Sequence, residues 1–267
     1  MNQEIDIVEY KNRLKKMLKY LNDICRKNNI KYSLDAGSLI GAVREGGIIP
    51  WDDDIDIIFI PDQLQKFIKC VEEDNNSNYK ILMNSNNKTY YYPYPKLVDL
   101  TTIVYEKNNK KITDYGIFID LFQYNNLPNN KFLTYIYIKR IKFYQQLIKG
   151  YAQIKADSLL KKIRNIFANI IGIEKIVKGF NKFTEKYNNK STEYIISNWP
   201  IYKDKKEIQE GKDIKEIIDT NFENMNVMIF KNYDSILSKR YGNYMLRPPK
   251  EKQISNHDIL AYKRKGE

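Results

Sequence analysis

Histidine is nearly absent from this sequence. The 267 residues contain one, His257, which excludes a metal centre built from several imidazoles and leaves little room for a Ser-His-Asp hydrolase. Cysteine is scarce as well. Cys25 and Cys70 fall on apolar faces of expected helices, and two thiols make no disulfide framework, so a reducing compartment is expected. No stretch of about 18 consecutive apolar residues occurs, which argues against a membrane-spanning helix. The opening MNQEIDIVEYKNRLKK lacks the apolar stretch and cleavage site of a secretory signal. These absences together predict a cytoplasmic protein.

Acids are sparse in one segment. Between Lys139 and Lys190 stand thirteen Lys/Arg against Asp157, Glu174 and Glu185, so +10 of the chain's net +12 sits there. Such a segment is either a solvated lysine-rich surface or an attractor of polyanions: phosphorylated lipid carriers, an anionic membrane face, or nucleic acid.

With 42% hydrophobic residues, the chain has the means for a real core. Leu14, Met17, Leu18, Leu21, Ile24 and Cys25 recur at helical spacing and predict a helix over 5–29. A short strand follows at 31–35, then a short helix over LIGAVRE that Gly46-Gly47 ends. Residues 54–60, DIDIIFI, read as a central strand, with a helix beyond Pro61-Asp62 to about Glu73. Further strands are expected at 79–83, 94–99, 102–106 and 115–123. Residues 131–190 read as amphipathic helices, 193–198 as extended, and Tyr233–Tyr241 as a helix stopped by Gly242. The Leu159–Ile171 helix is expected to pack its apolar side on the core, with a membrane surface as the other reading.

Chemistry concentrates in Asp35–Ile60, DAGSLIGAVREGGIIPWDDDIDIIFI. In a strand, residues two apart share a face, which puts Asp54 and Asp56 side by side. Two such carboxylates repel unless a cation lies between them, and hard oxygen ligands suit Mg²⁺ or Mn²⁺. Gly37-Ser38 precedes a helix N-terminus, where the backbone can approach a ligand and free N–H groups favour phosphate. A third acid, Asp120 in GIFIDLF, sits in an apolar strand where an unpaired charge is expensive. Trp51 reads as a packing anchor after Pro50. The run Tyr90, Tyr91, Tyr92 and Tyr94 reads either as a strand-edge cluster or as a cage for a quaternary ammonium.

The string GSLIGAVREGGIIPWDDDIDI closely resembles the signature of the LicD family, which includes bacterial phosphocholine transferases acting on lipopolysaccharide or teichoic acid and is similar to the fukutin group. KLVDLTT, GIFIDLF and YGNYMLRPP, followed by His257, extend the likeness over roughly residues 10–125 and 220–260. Ser38 stands where the family often has Thr, which keeps the hydroxyl. The resemblance implies an α/β (α+β) fold: a nucleotidyltransferase-like mixed sheet flanked by helices, with a helical insertion. The expected division is a catalytic core over 1–128, a basic helical subdomain over 129–215, and a C-terminal segment over 216–267 that completes the site. It further implies transfer of phosphocholine, or a related phospho-group, from CDP-choline to a hydroxyl of a glycan or lipid-linked glycan, with CMP leaving. Asp54, Asp56 and Asp120 would hold the metal, and Asp120 would accept the proton of the attacking hydroxyl. Arg44 and Lys96 are expected at phosphate beside Gly37 and Ser38, with Asp52 as a further ligand or orienting a water, and His257 near substrate. Two competing readings are an enzyme attacking the α-phosphate of a nucleoside triphosphate with loss of pyrophosphate, and a nucleic-acid-binding protein using 139–190. The second leaves the buried acids without a role, so no nucleic-acid partner is expected. Contact of 139–190 with the inner membrane face remains open.

Overall fold

The computed structural model describes residues 3–107, 109–201, 205–254 and 259–264. The first helix, α1 (Ile7–Lys27), is capped by Asp6, whose carboxylate accepts the Glu9 N–H at 2.8 Å. Its buried stripe, from Tyr10 through Leu14, Met17, Leu18 and Leu21 to Ile24 and Cys25, is the one expected from spacing. Next come β1 (Tyr32–Leu34) and α2 (Ala36–Ile40), the latter continuing as a single π-helical turn over Gly41–Glu45. Then follow β2 (Asp56–Phe59), α3 (Gln63–Asp74), β3 (Tyr79–Leu82), β4 (Lys96–Asp99), β5 (Thr102–Glu106) and β6 (Phe118–Asn126).

The main sheet runs β1-β2-β6-β4-β3, with β2 and β6 parallel and the other neighbours antiparallel. The far half of β6 pairs with β7 (Tyr194–Ser197), which carries β8 (Ile208–Glu210). This is a mixed sheet with helices against it, the α/β class expected. Alternation along the two central strands divides the interior. Ile57, Phe59 and Leu121 belong to the large cluster that includes the buried faces of α1 and α3. Ile58, Phe122 and Tyr124 join a second, smaller cluster with Tyr94, Phe230 and Ile236.

Between β6 and β7 lie three helices, α4 (Lys131–Ala152), α5 (Leu159–Ile171) and α6 (Ile173–Thr184). Here one expectation fails. The apolar stripe of α5 does not pack on the core: Leu159, Leu160, Ile163, Ile166, Phe167 and Ile170 are all exposed, and Ala168 is the helix's buried residue.

A hairpin that the hydrophobic pattern left unassigned follows, β9 (Ile217–Phe222) and β10 (Met225–Phe230). Its two-residue turn, Glu223-Asn224, has φ of 51° and 65°, the doubly left-handed turn whose twist matches a hairpin. The turn docks on the motif: Glu223 donates its N–H to the Gly46 carbonyl at 2.8 Å, and its carboxylate accepts from the Ile48 N–H. Then comes α7 (Tyr233–Tyr241), ended by Gly242 at φ 70° as its position demands. β11 (Ile259–Lys263) returns to pair with β5.

Candidate active site

Three charged side chains lie in register across the sheet. Asp56 of β2 stands opposite Asp120 of β6, and Asp120 stands opposite Lys96 of β4. Lys96, 2% exposed, donates a hydrogen bond from its ammonium to Asp120 Oδ1. The same ammonium lies 3.5 Å from the Phe118 ring centroid, 4.7 Å from that of Tyr92 and 5.6 Å from that of Tyr94. Tyr92 and Tyr94 of the tyrosine run thus join Phe118 and Tyr115 around a cation, which is the protein's own lysine. Tyr92 also donates to Glu106 at 2.6 Å. Burial acts to raise the Glu106 pKa, yet Lys96 and hydrogen bonds from Tyr115, Tyr92 and Asn109 hold it below the ordinary value. Removing either charge of the Lys96–Asp120 pair would strand the other, a loss of about 3–5 kcal/mol for a buried ion pair.

Asp56 opens β2, and its backbone is tied at both ends. Its N–H donates to Ser38 Oγ at 2.9 Å, and its carbonyl accepts from the Asp35 N–H at 2.9 Å. Ser38, expected at phosphate, is buried and pins the helix of the motif to the acid strand. The Asp56 pKa is pushed well above its usual value, by burial first and then by the charges of Asp54, Asp120, Asp35 and Asp52. Asp54 lies just ahead of the strand rather than within it, because regular pairing starts at Asp56.

The residues before Asp56 supply a second group. Asp52, Asp53 and Asp54 each present a carboxylate oxygen, all within 4.8 Å of one another. Asp53, 8% exposed, is not in the expected set, since alternation along a strand puts Asp54 and Asp56 on one face and the odd positions on the other. Gly37 explains itself here: a Cβ on it would come within 2.5 Å of Asp52 Oδ2. The glycine makes room for the carboxylate and brings the start of α2 against the acid loop. Ala36, immediately before it, has φ 46°, a strained conformation for a residue with a side chain.

Behind the acids lies a buried ion cluster that the sequence reading missed. Arg240 of α7 pairs with Asp35 at 2.6 Å and with Glu207 at 3.5 Å, and donates to the Tyr124 hydroxyl at 3.3 Å. All three charged residues are under 6% exposed. Position was the available signal, because Arg240 shares a helical face with the buried Ile236 and Leu237. Its charge balances Asp35, whose N–H in turn holds the Asp56 carbonyl.

Arg44, expected at phosphate, has partners within the protein. Arg44 is engaged by Glu45 at 2.8 Å and by the Tyr244 carbonyl at 2.8 Å, and lies over the Trp51 ring. Glu45 also holds Arg247, so Arg44 joins the motif helix to the C-terminal loop. Trp51 packs against the large core cluster, as a packing anchor should. His257 lies outside the described residues. A cleft of about 630 Å³ between α3, α6 and the 83–95 loop contains Gln123 and Asn125 in its wall. Those residues alternate with Asp120, Phe122 and Tyr124 along β6, so this cleft opens away from the carboxylates.

A mixed sheet with carboxylates gathered near adjacent strand starts, beside a glycine-serine pair in the first turn of a short helix, is the architecture of a nucleotidyltransferase-fold transferase. Residues 29–159 match the family model described as LicD/FKTN/FKRP, nucleotidyltransferase domain. Over 254 residues the chain is 29% identical to the lipopolysaccharide cholinephosphotransferase LicD of Haemophilus influenzae, covering 92% of this chain and 94% of that one. It is 40% identical over 50 residues to the ribitol 5-phosphate transferase FKRP of human and mouse, 18% of this chain and 10% of theirs. An uncharacterised Rickettsia typhi protein is 31% identical over 119 residues, 45% of this chain and 35% of that one. Residues 29–159 are a nucleotidyltransferase domain of the LicD family, and the chain is a transferase of that type.

Proposed function

We propose that this enzyme transfers phosphocholine, or a closely related phospho-group, from a CDP-activated donor such as CDP-choline to a hydroxyl of a cell-surface or lipid-linked glycan. The observation that carries the reading is the register of Asp56 with Asp120 beside the Asp52–Asp54 group, in a chain similar over nearly its whole length to a lipopolysaccharide cholinephosphotransferase. The donor set fits a divalent cation. Three carboxylates with oxygens inside 4.8 Å repel one another, and all-oxygen ligation is the chemistry of Mg²⁺ and Mn²⁺. Asp52, Asp53 and Asp54 would hold the ion, with Asp56 and Asp120 adjoining. When bound, it neutralises the charge of a diphosphate.

The protein's own groups do the rest. The acceptor hydroxyl attacks the phosphorus distal to the nucleoside, its proton passes to Asp120, and the bond to CMP breaks. Lys96 keeps Asp120 oriented through its charge-assisted bond, and the rings around Lys96 keep that bond dry. Ser38 and Asp35 fix Asp56 through the backbone, so the acid row is set before substrate arrives.

The test is product analysis. Incubated with CDP-choline, Mg²⁺ and a glycan acceptor, the purified chain should release CMP and leave phosphocholine on the glycan. Release of pyrophosphate from a nucleoside triphosphate, with CDP-choline untouched, would replace this reading by nucleotidyl transfer.

A further inference from the structure

We propose that α5 is an interfacial helix that seats the enzyme on an anionic lipid bilayer. The inference rests on the surface of the helical layer and not on the transfer reaction. Leu159, Leu160, Ile163, Ile166, Phe167 and Ile170 form one stripe of α5, with exposures from 51% at Phe167 to 80% at Leu160. The opposite, polar side fastens the helix to its neighbours. Arg164 donates to Gln146 at 3.0 Å and to Gln153 at 2.8 Å, and Asn169 accepts from Lys110 at 2.7 Å. Ala168 is fully buried on that side, and a Cβ on Gly150 would come within 2.9 Å of the Arg164 side chain. The helix is therefore held with its apolar side outward, and rotating it inward would break that set of bonds. Ile154, 63% exposed, continues the apolar surface across a groove shared with Ile166 and Ile170.

Charge selects the occupant. Lys162, exposed, borders the stripe on the side away from Arg164, a position from which a long cationic side chain reaches headgroups. The surrounding segment carries thirteen Lys/Arg against three acids. An apolar stripe flanked by cations is the pattern of a helix lying in an anionic interface. A second copy is disfavoured, because pairing two such faces would bring two strongly basic segments together. Spanning is excluded by length. No helix among the described residues is long and apolar enough to cross, and the 13 residues of α5 reach about 20 Å against a hydrocarbon layer of about 30 Å.

Flotation with vesicles tests this. The full-length chain should float with vesicles containing phosphatidylglycerol, float weakly with pure phosphatidylcholine, and be released by high salt. The double substitution Ile166→Glu/Ile170→Glu, both at exposed positions, should lower the bound fraction at least tenfold while leaving the thermal unfolding curve unchanged. CMP release with a soluble acceptor should be the same for both chains, so a chain that failed to use CDP-choline would leave the flotation result standing. Equal flotation of parent and variant would overturn the proposal. So would a parent chain that ignores both vesicle types and instead forms a dimer that the double substitution dissociates.

Discussion

The acid end of the sheet and the helical layer break the ordinary rule of burial in opposite directions. At the acid end, charge is taken inside: Lys96, Asp56, Asp35, Glu207 and Arg240 are all under 9% exposed. Around α5, six large apolar side chains are left outside. Either departure costs stability, and both persist in one molecule. The buried charges include matched pairs, Lys96 with Asp120 and Arg240 with Asp35 and Glu207, while carboxylates crowd together at Asp52–Asp54. The exposed apolar stripe is likewise bordered by cations. On the readings proposed above, a divalent cation would complete the first region and an anionic lipid surface the second.

The largest effect belongs to the acid row. Asp56→Asn or Asp120→Asn should lower the transfer rate by about 10²–10⁴-fold, the range for a positioned acid-base group, with secondary structure intact by circular dichroism. A variant running at the parent rate would remove that acid from the reaction and dissolve the contrast. Next is the cation behind them. Arg240→Met leaves Asp35 and Glu207 buried without their arginine and should cost about 3–5 kcal/mol in urea unfolding. If the loss were only that of a surface ion pair, the inside-out description of this end would be wrong.

A smaller and more selective effect is expected at Gly37. Gly37→Ala puts a methyl where Asp52 Oδ2 now lies, so it should weaken Mn²⁺ affinity by about 10–100-fold with little change in unfolding. The smallest effect concerns Glu106, whose pKa is held below its ordinary value of 4.5. A depressed carboxylate adds stability above its unfolded pKa and loses it as pH falls through its folded one. The parent should therefore lose stability more steeply below about pH 4.5 than Glu106→Gln does, by roughly 1 kcal/mol in acid-limb unfolding curves. Parallel acid limbs would show that Lys96 does not stabilise this charge.

Much of the fold was legible because it is periodic. The stripe of α1, the alternation at 56–59 and the apolar strand around Asp120 gave the elements, and the DAGS segment with the acid string marked the candidate site. What escaped depends on neighbours far along the chain. Arg240 looks like a solvated helix-end arginine until Asp35 and Glu207 close around it. The tyrosine run shows its aromatic character in sequence, but the cation it encloses comes from the strand that follows. Asp53 was passed over because strand alternation was extended two residues too far toward the N-terminus, into a loop where alternation has no force. The β9–β10 hairpin was missed because Glu-Asn is a poor advertisement for a left-handed turn, although Asn tolerates that conformation. In α5 the amphipathic pattern was read correctly and its direction was not, since periodicity locates an apolar face without saying what it faces.

The central claim is that Asp52, Asp53 and Asp54, set against Asp56 and Asp120, hold a divalent cation. Titrating Mn²⁺ into the purified enzyme and following the free ion by electron paramagnetic resonance tests it without recourse to turnover. Saturable binding that is lost in Asp54→Asn and competed by Mg²⁺ is the predicted result; an Asp54→Asn titration superimposable on that of the parent would contradict it.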